Sequence, residues 1–136
     1  MIQFYFLSIF FNGVTGYVLG IEHDEAETSL DTGLKFSFRN ATVRLVLGIL
    51  TMLTGLLKLL SVTKGDIPVV GDLVPALVGL GVGFLLVFEY YNSRSELSTE
   101  KADKLALFLK RNKKWIGIIA IASAALHFLF PSVLLL

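Results

Sequence analysis

The chain has no cysteine, which excludes disulfides, thiolate metal sites and a cysteine nucleophile. Histidine is nearly as scarce, with His23 and His127 the only two. The topology derived below puts them on opposite sides of a membrane, so one subunit has no ligand set for a bis-histidine haem. Charge is missing over two long stretches, from Ile2 to Ile21 and from Trp115 to Leu136. A phosphate loop, zinc-ligand spacing and a nucleophile elbow are all absent. The residues therefore offer no catalytic set, no metal site and no cofactor, and none is predicted.

What is present is hydrocarbon. Of 136 residues 54% are hydrophobic and the mean hydropathy is +0.74, beyond what a water-soluble domain of this size can carry while still covering its surface with polar groups. The class expected is an all-α integral membrane protein, a single domain over residues 1–136. A helix needs about 20 residues to cross ~30 Å of hydrocarbon. Four segments reach that length, at about 2–21, 41–62, 67–91 and 115–136, and predict four transmembrane helices in one bundle. The first is expected to be retained as a span rather than cleaved as a leader, because "MIQF" lacks a basic n-region and no clear cleavage site follows.

Orientation follows from the basic residues. The segment 92–114 holds Arg94, Lys101, Lys104, Lys110, Arg111, Lys113 and Lys114, and the segment 22–40 adds Lys35 and Arg39, against Lys64 alone in the short "TKGD" turn. The positive-inside rule puts both long segments in the cytoplasm of a bacterial inner membrane and both termini outside. Residues near 98–113 form an amphipathic pattern with Ser98 as the expected N-cap, read as an interfacial helix along the inner leaflet. Its Lys101, Lys104, Lys110, Arg111, Lys113 and Lys114 are the expected contacts to anionic lipid, a better partner than nucleic acid for charges beside a bilayer. The acidic "EHDEAE" run reads as a solvated loop rather than an ion site.

Charges inside the apolar runs need a reason, since each costs roughly 2.5 to 3.5 kcal/mol at the centre of an inserted helix. On the second span Arg44, Gly48, Thr51, Gly55 and Lys58 follow at alternating steps of four and three, which keeps them on one face. Small residues permit close helix approach, so that stripe is expected to meet another helix. The third span offers Gly71, Pro75, Gly79 and Gly83 at steps of four, the fourth Gly117, Ala120, Ala124 and His127, and the first Gly13, Gly16 and Gly20. Folding spans two and three about "TKGD" brings Arg44 toward Glu89 at one end and Lys58 toward Asp72 at the other, two expected charge pairs, with a kink at Pro75 easing the register. The glycine faces outnumber what the interior needs, so one of them, at Gly16, Gly20 or at Gly79, Gly83, is expected to face a partner.

The second span, "VRLVLGILTMLTGLLKLL", resembles the arginine, glycine and lysine pattern of the DoxX-like family of small four-helix membrane proteins, through Arg44, Gly48, Gly55 and Lys58. Some members of that family are associated with membrane oxidoreductase assemblies, so the resemblance implies an accessory or quinone-linked role. Three functions are therefore expected in order: a non-catalytic accessory or scaffold subunit packed with other membrane subunits or with itself, a small transporter or channel, and a quinone- or haem-linked subunit with His127 as the ligand or cofactor contact.

Overall fold

The computed structural model describes residues 2–20, 40–60, 73–95 and 99–130. They form four α-helices: α1 (Ile2–Gly20), α2 (Ala41–Leu60), α3 (Leu73–Arg94) and α4 (Glu100–Leu129). Two of them, α2 and α3, are long and apolar enough to cross a membrane.

The start of α2 has a local cause. Asn40 caps α2, its side-chain oxygen accepting from the Thr42 N–H at 3.0 Å while its carbonyl accepts from the Arg44 N–H at 3.1 Å. Pro75 falls in the first described turn of α3. The kink expected at Pro75 falls at the edge of the described residues, since 61–72 lie outside them. Thr99, extended at φ −95° and ψ 141°, holds the cap position of α4 without a side-chain cap bond; Ser98 lies outside the described residues.

The largest departure from expectation is α4. A separate interfacial helix near 98–113 does not form: residues 100–129 are one uninterrupted helix of 30 residues. The physical reason is in the joining stretch, "LALFLKRNKKWI", which contains neither glycine nor proline and is rich in good helix formers. The change there from charged to apolar residues occurs without a break in the helix.

Consecutive helices run antiparallel. The helices α1 and α3 touch across the middle, while α2 and α4 stand on opposite sides of that central pair and do not touch each other. Two seams hold the closest approaches. Along α2 and α3, a Cβ on Gly48 would sit 2.9 Å from the Gly83 carbonyl oxygen, one on Gly55 2.8 Å from the Ala76 oxygen, and one on Gly83 2.7 Å from the Gly48 oxygen. Along α1 and α4, a Cβ on Gly16 would meet the Gly117 oxygen at 2.8 Å, and one on Gly117 would run into the Gly20 backbone. These separations leave no room for any side chain, so the backbones are in direct contact. The expectation of a spare glycine face fails here: Gly16 and Gly20 pack on α4, Gly83 packs on α2, and Gly79 lies between Asn12 of α1 and Gly55 of α2.

Between the seams sits an apolar cluster of Val18, Leu19, Leu47, Val82, Leu85, Leu86 and Ala120. Around the outside lies a second apolar layer, exposed, including Phe6, Phe10, Ile49, Leu53, Phe84 and Ile119.

The seams predict a contrast within one helix. Gly83→Ala must push apart the α2 and α3 backbones and should cost about 1 to 3 kcal/mol, as overpacking does. Gly81→Ala has nothing within 4 Å of its new methyl group and should be neutral or stabilising by about 0.5 to 1 kcal/mol through helix propensity. The melting temperature in mild detergent should fall for Gly83→Ala and hold or rise for Gly81→Ala.

Candidate functional site

The separation of α2 and α4 sets a problem that side chains solve at each end of the bundle. At the end that holds the start of α3 and the close of α4, the bridging residue is Tyr5 of α1. Its hydroxyl donates to the His127 carbonyl oxygen at 2.8 Å, its ring lies 4.7 Å from the His127 ring between centroids, and Lys58 Nζ sits 5.5 Å from the same ring centroid. Lys58 is 4% exposed and His127 0%. An ammonium over an aromatic face gains from the ring quadrupole, worth about 2 kcal/mol once desolvated.

At the other end the bridge is Glu89 of α3. One carboxylate oxygen accepts from Arg44 Nη2 of α2 at 3.2 Å, and the other pairs with Lys113 Nζ of α4 at 2.9 Å. All three side chains are partly buried. A single carboxylate thus ties two helices that never meet.

A third polar tie crosses the centre. Asn12 Nδ2 of α1 donates to the Pro75 carbonyl oxygen of α3 at 2.9 Å, and its Oδ1 lies against Gly79. Any side chain at position 79 would displace that amide. The remaining buried hydroxyls mostly bond along their own helix: Thr51 donates to the Leu47 oxygen and Thr54 to the Leu50 oxygen, each at 2.7 Å, which satisfies a buried hydroxyl without a cross-helix partner. Ser123 Oγ is buried and finds no hydrogen-bond partner among the described residues.

Of the sequence-derived candidates, Arg44 and Glu89 are together, whereas Asp72, expected beside Lys58, lies outside the described residues. Lys113 is turned inward onto Glu89, while Lys101, Lys104, Lys110, Arg111 and Lys114 stay exposed and Lys104 pairs with Glu100 on its own helix at 2.7 Å. Tyr5 and Asn12 went unread in the sequence. The signal was present: Tyr5, Ser8, Asn12 and Thr15 recur at steps of three, four and three, the same alternation that marks the α2 stripe. Among the described residues no three His, Asp or Glu side chains come together as a metal site would require.

A protein-family model matches residues 1–127 of the chain. A protein of Treponema pallidum (strain Nichols), described as "Uncharacterized protein", is 30% identical over 136 residues, with the whole of both chains covered. No solved structure matches.

The Glu89 bridge predicts an ordering and a rescue. Glu89→Gln leaves two cations facing each other and should destabilise more than Lys113→Met, by a margin on the order of 1 kcal/mol for a partly exposed pair. The exchange Arg44→Glu with Glu89→Arg should recover only part of the lost stability, since the new arginine then meets Lys113. Adding Lys113→Glu inverts the whole triad and should restore it further. Detergent melting curves of the double and triple variants check this, and a triple variant no better than the double would break the account of the bridge.

Proposed function

The chain belongs to the family that it shares with the Treponema pallidum protein, and on that premise we propose that it is an integral protein of a bacterial cytoplasmic membrane. All four helices cross the bilayer in this reading, with both termini outside. Its task is that of a non-catalytic accessory or scaffold subunit in a larger membrane assembly.

The membrane placement is supported by an inverted distribution of side chains. Ser8, Asn12, Thr15, Thr51, Thr54, Lys58, Ser123 and His127 are buried while large apolar side chains are exposed on α1, α2, α3 and the second half of α4. Water does not favour such a surface, because contiguous apolar patches beyond a few hundred Å² are rare on soluble monomers; lipid does. The charge-free α1 and the apolar part of α4 fit the same envelope as α2 and α3. Arg94 at the close of α3 and the basic residues of the first half of α4 support this orientation.

The accessory role rests chiefly on one observation. Apart from Ser123, the polar groups described above are engaged with the bundle itself: Arg44 and Lys113 with Glu89 at the rim, Asn12 with the Pro75 carbonyl, and Tyr5 with the His127 carbonyl. These side chains tie helices together, whereas a catalytic or transport centre needs groups directed at a substrate. The DoxX-like pattern of Arg44, Gly48, Gly55 and Lys58 points the same way. A small transporter is the second reading, favoured by the burial of Lys58 and His127 near one end of the bundle, where a charged group draws attention to an ion path.

Topology and role can be tested separately. Cysteine at Gln3 should react with an impermeant thiol reagent in intact cells and cysteine at Ser93 should not; the reverse pattern contradicts the orientation. Purified in mild detergent, the protein should migrate on native gels in a larger complex and show no solute flux when reconstituted alone. Flux from the isolated wild-type chain, together with migration as a single subunit, would replace the accessory role with transport.

A further inference from the structure

We propose that Lys110 and Arg111, with Trp115 one turn deeper, form a site for the headgroup of an anionic phospholipid of the inner leaflet, and that the cations nearer the start of α4 take no part in it. The proposal rests on the membrane placement above and narrows the lipid contacts of α4 to a single turn.

Packing fixes which side of α4 is free. Leu109 and Ile116 pack on the apolar cluster, Lys113 reaches Glu89, and Gly117 lies on the Gly20 backbone, so these residues face the bundle. Arg111 and Trp115 stand about 160° around the helix from Lys113, both exposed, Trp115 at 67%. Below Trp115 the same side continues through Ile118, Ile119, Leu126 and Leu129, all exposed and apolar. Lys110, also exposed, flanks Arg111. Among the described residues neither Lys110 nor Arg111 has an ion-pair partner, whereas Lys104 pairs with Glu100 and Lys113 with Glu89.

Depth selects among the cations. Trp115 opens the apolar half of α4 and falls where the aromatic rings of a membrane helix sit, at the boundary of hydrocarbon and headgroups. The headgroup layer beyond that boundary is about 5 to 7 Å deep on each side. At ~1.5 Å per residue Arg111 stands about 6 Å and Lys110 about 7.5 Å beyond Trp115, against about 16 Å for Lys104 and 21 Å for Lys101. The first two lie in the layer or at its edge; the others lie more than a Debye length of ~8 Å outside it. Those outer cations also have Glu100 and Asp103 among them. Charge decides the class of lipid: a zwitterionic headgroup brings an ammonium to its own phosphate, whereas an anionic one leaves the phosphate to the protein, and a guanidinium fork matches it. Phosphate above a boundary ring and hydrocarbon below it is the order of groups in one phospholipid, and it is the order of side chains on this face. The acidic run of the chain, residues 22–31, starts from the other side of α4, since Gly20 lies against Gly117 on the inward face and α2, to which the run leads, does not touch α4.

Trp115 is the single tryptophan of the chain and reports on its own neighbours. The full chain is reconstituted in phosphatidylcholine vesicles in which a minor fraction of the lipid carries bromine on its acyl chain near the glycerol, either as phosphatidylglycerol or as phosphatidylcholine, and quenching of Trp115 fluorescence is measured. The site predicts stronger quenching by the brominated phosphatidylglycerol. The relative affinity for that lipid should fall roughly fivefold with Lys110→Gln and again with Arg111→Gln, and stay unchanged with Lys101→Gln and Lys104→Gln together, all in variants whose melting shows a retained bundle. Equal quenching by the two lipids overturns the proposal, as does a preference that survives loss of both Lys110 and Arg111 or that the outer pair of changes also removes. A preference that emerges only after the acids of residues 22–31 are changed to amides overturns it in favour of the chain's own segment. Quenching by neither lipid fails the membrane reading itself, whereas equal quenching by both fails only the site.

Discussion

Direct contact between helix backbones is the constraint from which the rest of the molecule follows. Once Gly48 and Gly83 touch across α2 and α3, and Gly16 and Gly117 across α1 and α4, each pair is as close as two helices can be. In the proposed bilayer placement this close approach has to supply what the hydrophobic effect supplies in water, since lipid tails are as apolar as the side chains and only packing and hydrogen bonds favour association. Closing both seams and crossing α1 against α3 leaves α2 and α4 apart. The bridges then become necessary: Tyr5 reaches from the central pair to Lys58 and to the His127 carbonyl at one end, and Glu89 to Arg44 and Lys113 at the other. Glycine placement and charge placement are two parts of one solution.

The same geometry accounts for charges that would otherwise be out of place in apolar runs. Glu89 can hold two cations because α3 lies between the helices that carry them, and partial exposure at the rim limits the desolvation that a deeper pair would suffer. Lys58 is buried more completely and has an aromatic ring against it. The interior is thus polar at defined levels, while exposed large apolar side chains occur on every helix and the exposed charges gather at the close of α3 and in the first half of α4.

Much of the packing was legible because it obeys one periodicity. Steps of four and three on α2 pick out Gly48, Thr51, Gly55 and Lys58, and those four residues are buried in the structure. The same rule applied to α1 would have picked out Tyr5, Ser8, Asn12 and Thr15, but the glycines of that helix drew the reading to a different face. The expectation of a spare glycine face treated each stripe as needing one partner; Gly79 instead touches α1 and α2 together, which no single-helix pattern reveals. The division of α4 into two helices arose from reading a change in polarity as a change in backbone direction, although nothing in "KRNKKW" breaks a helix. Lys113 was grouped with its exposed neighbours because composition does not say which lysine of a basic cluster faces inward.

The central claim is that four helices, and not only the two most apolar, share the bilayer as one bundle with the start of α4 projecting from it. Amide hydrogen exchange of the protein in lipid vesicles tests this most directly. Protection should be strong and comparable across α1, α2, α3 and the stretch of α4 from Ile116 to Leu129, with rapid exchange from Glu100 to about Asn112. Strong protection confined to α2 and α3, with α1 and the apolar half of α4 exchanging as fast as the projecting turns, would contradict it.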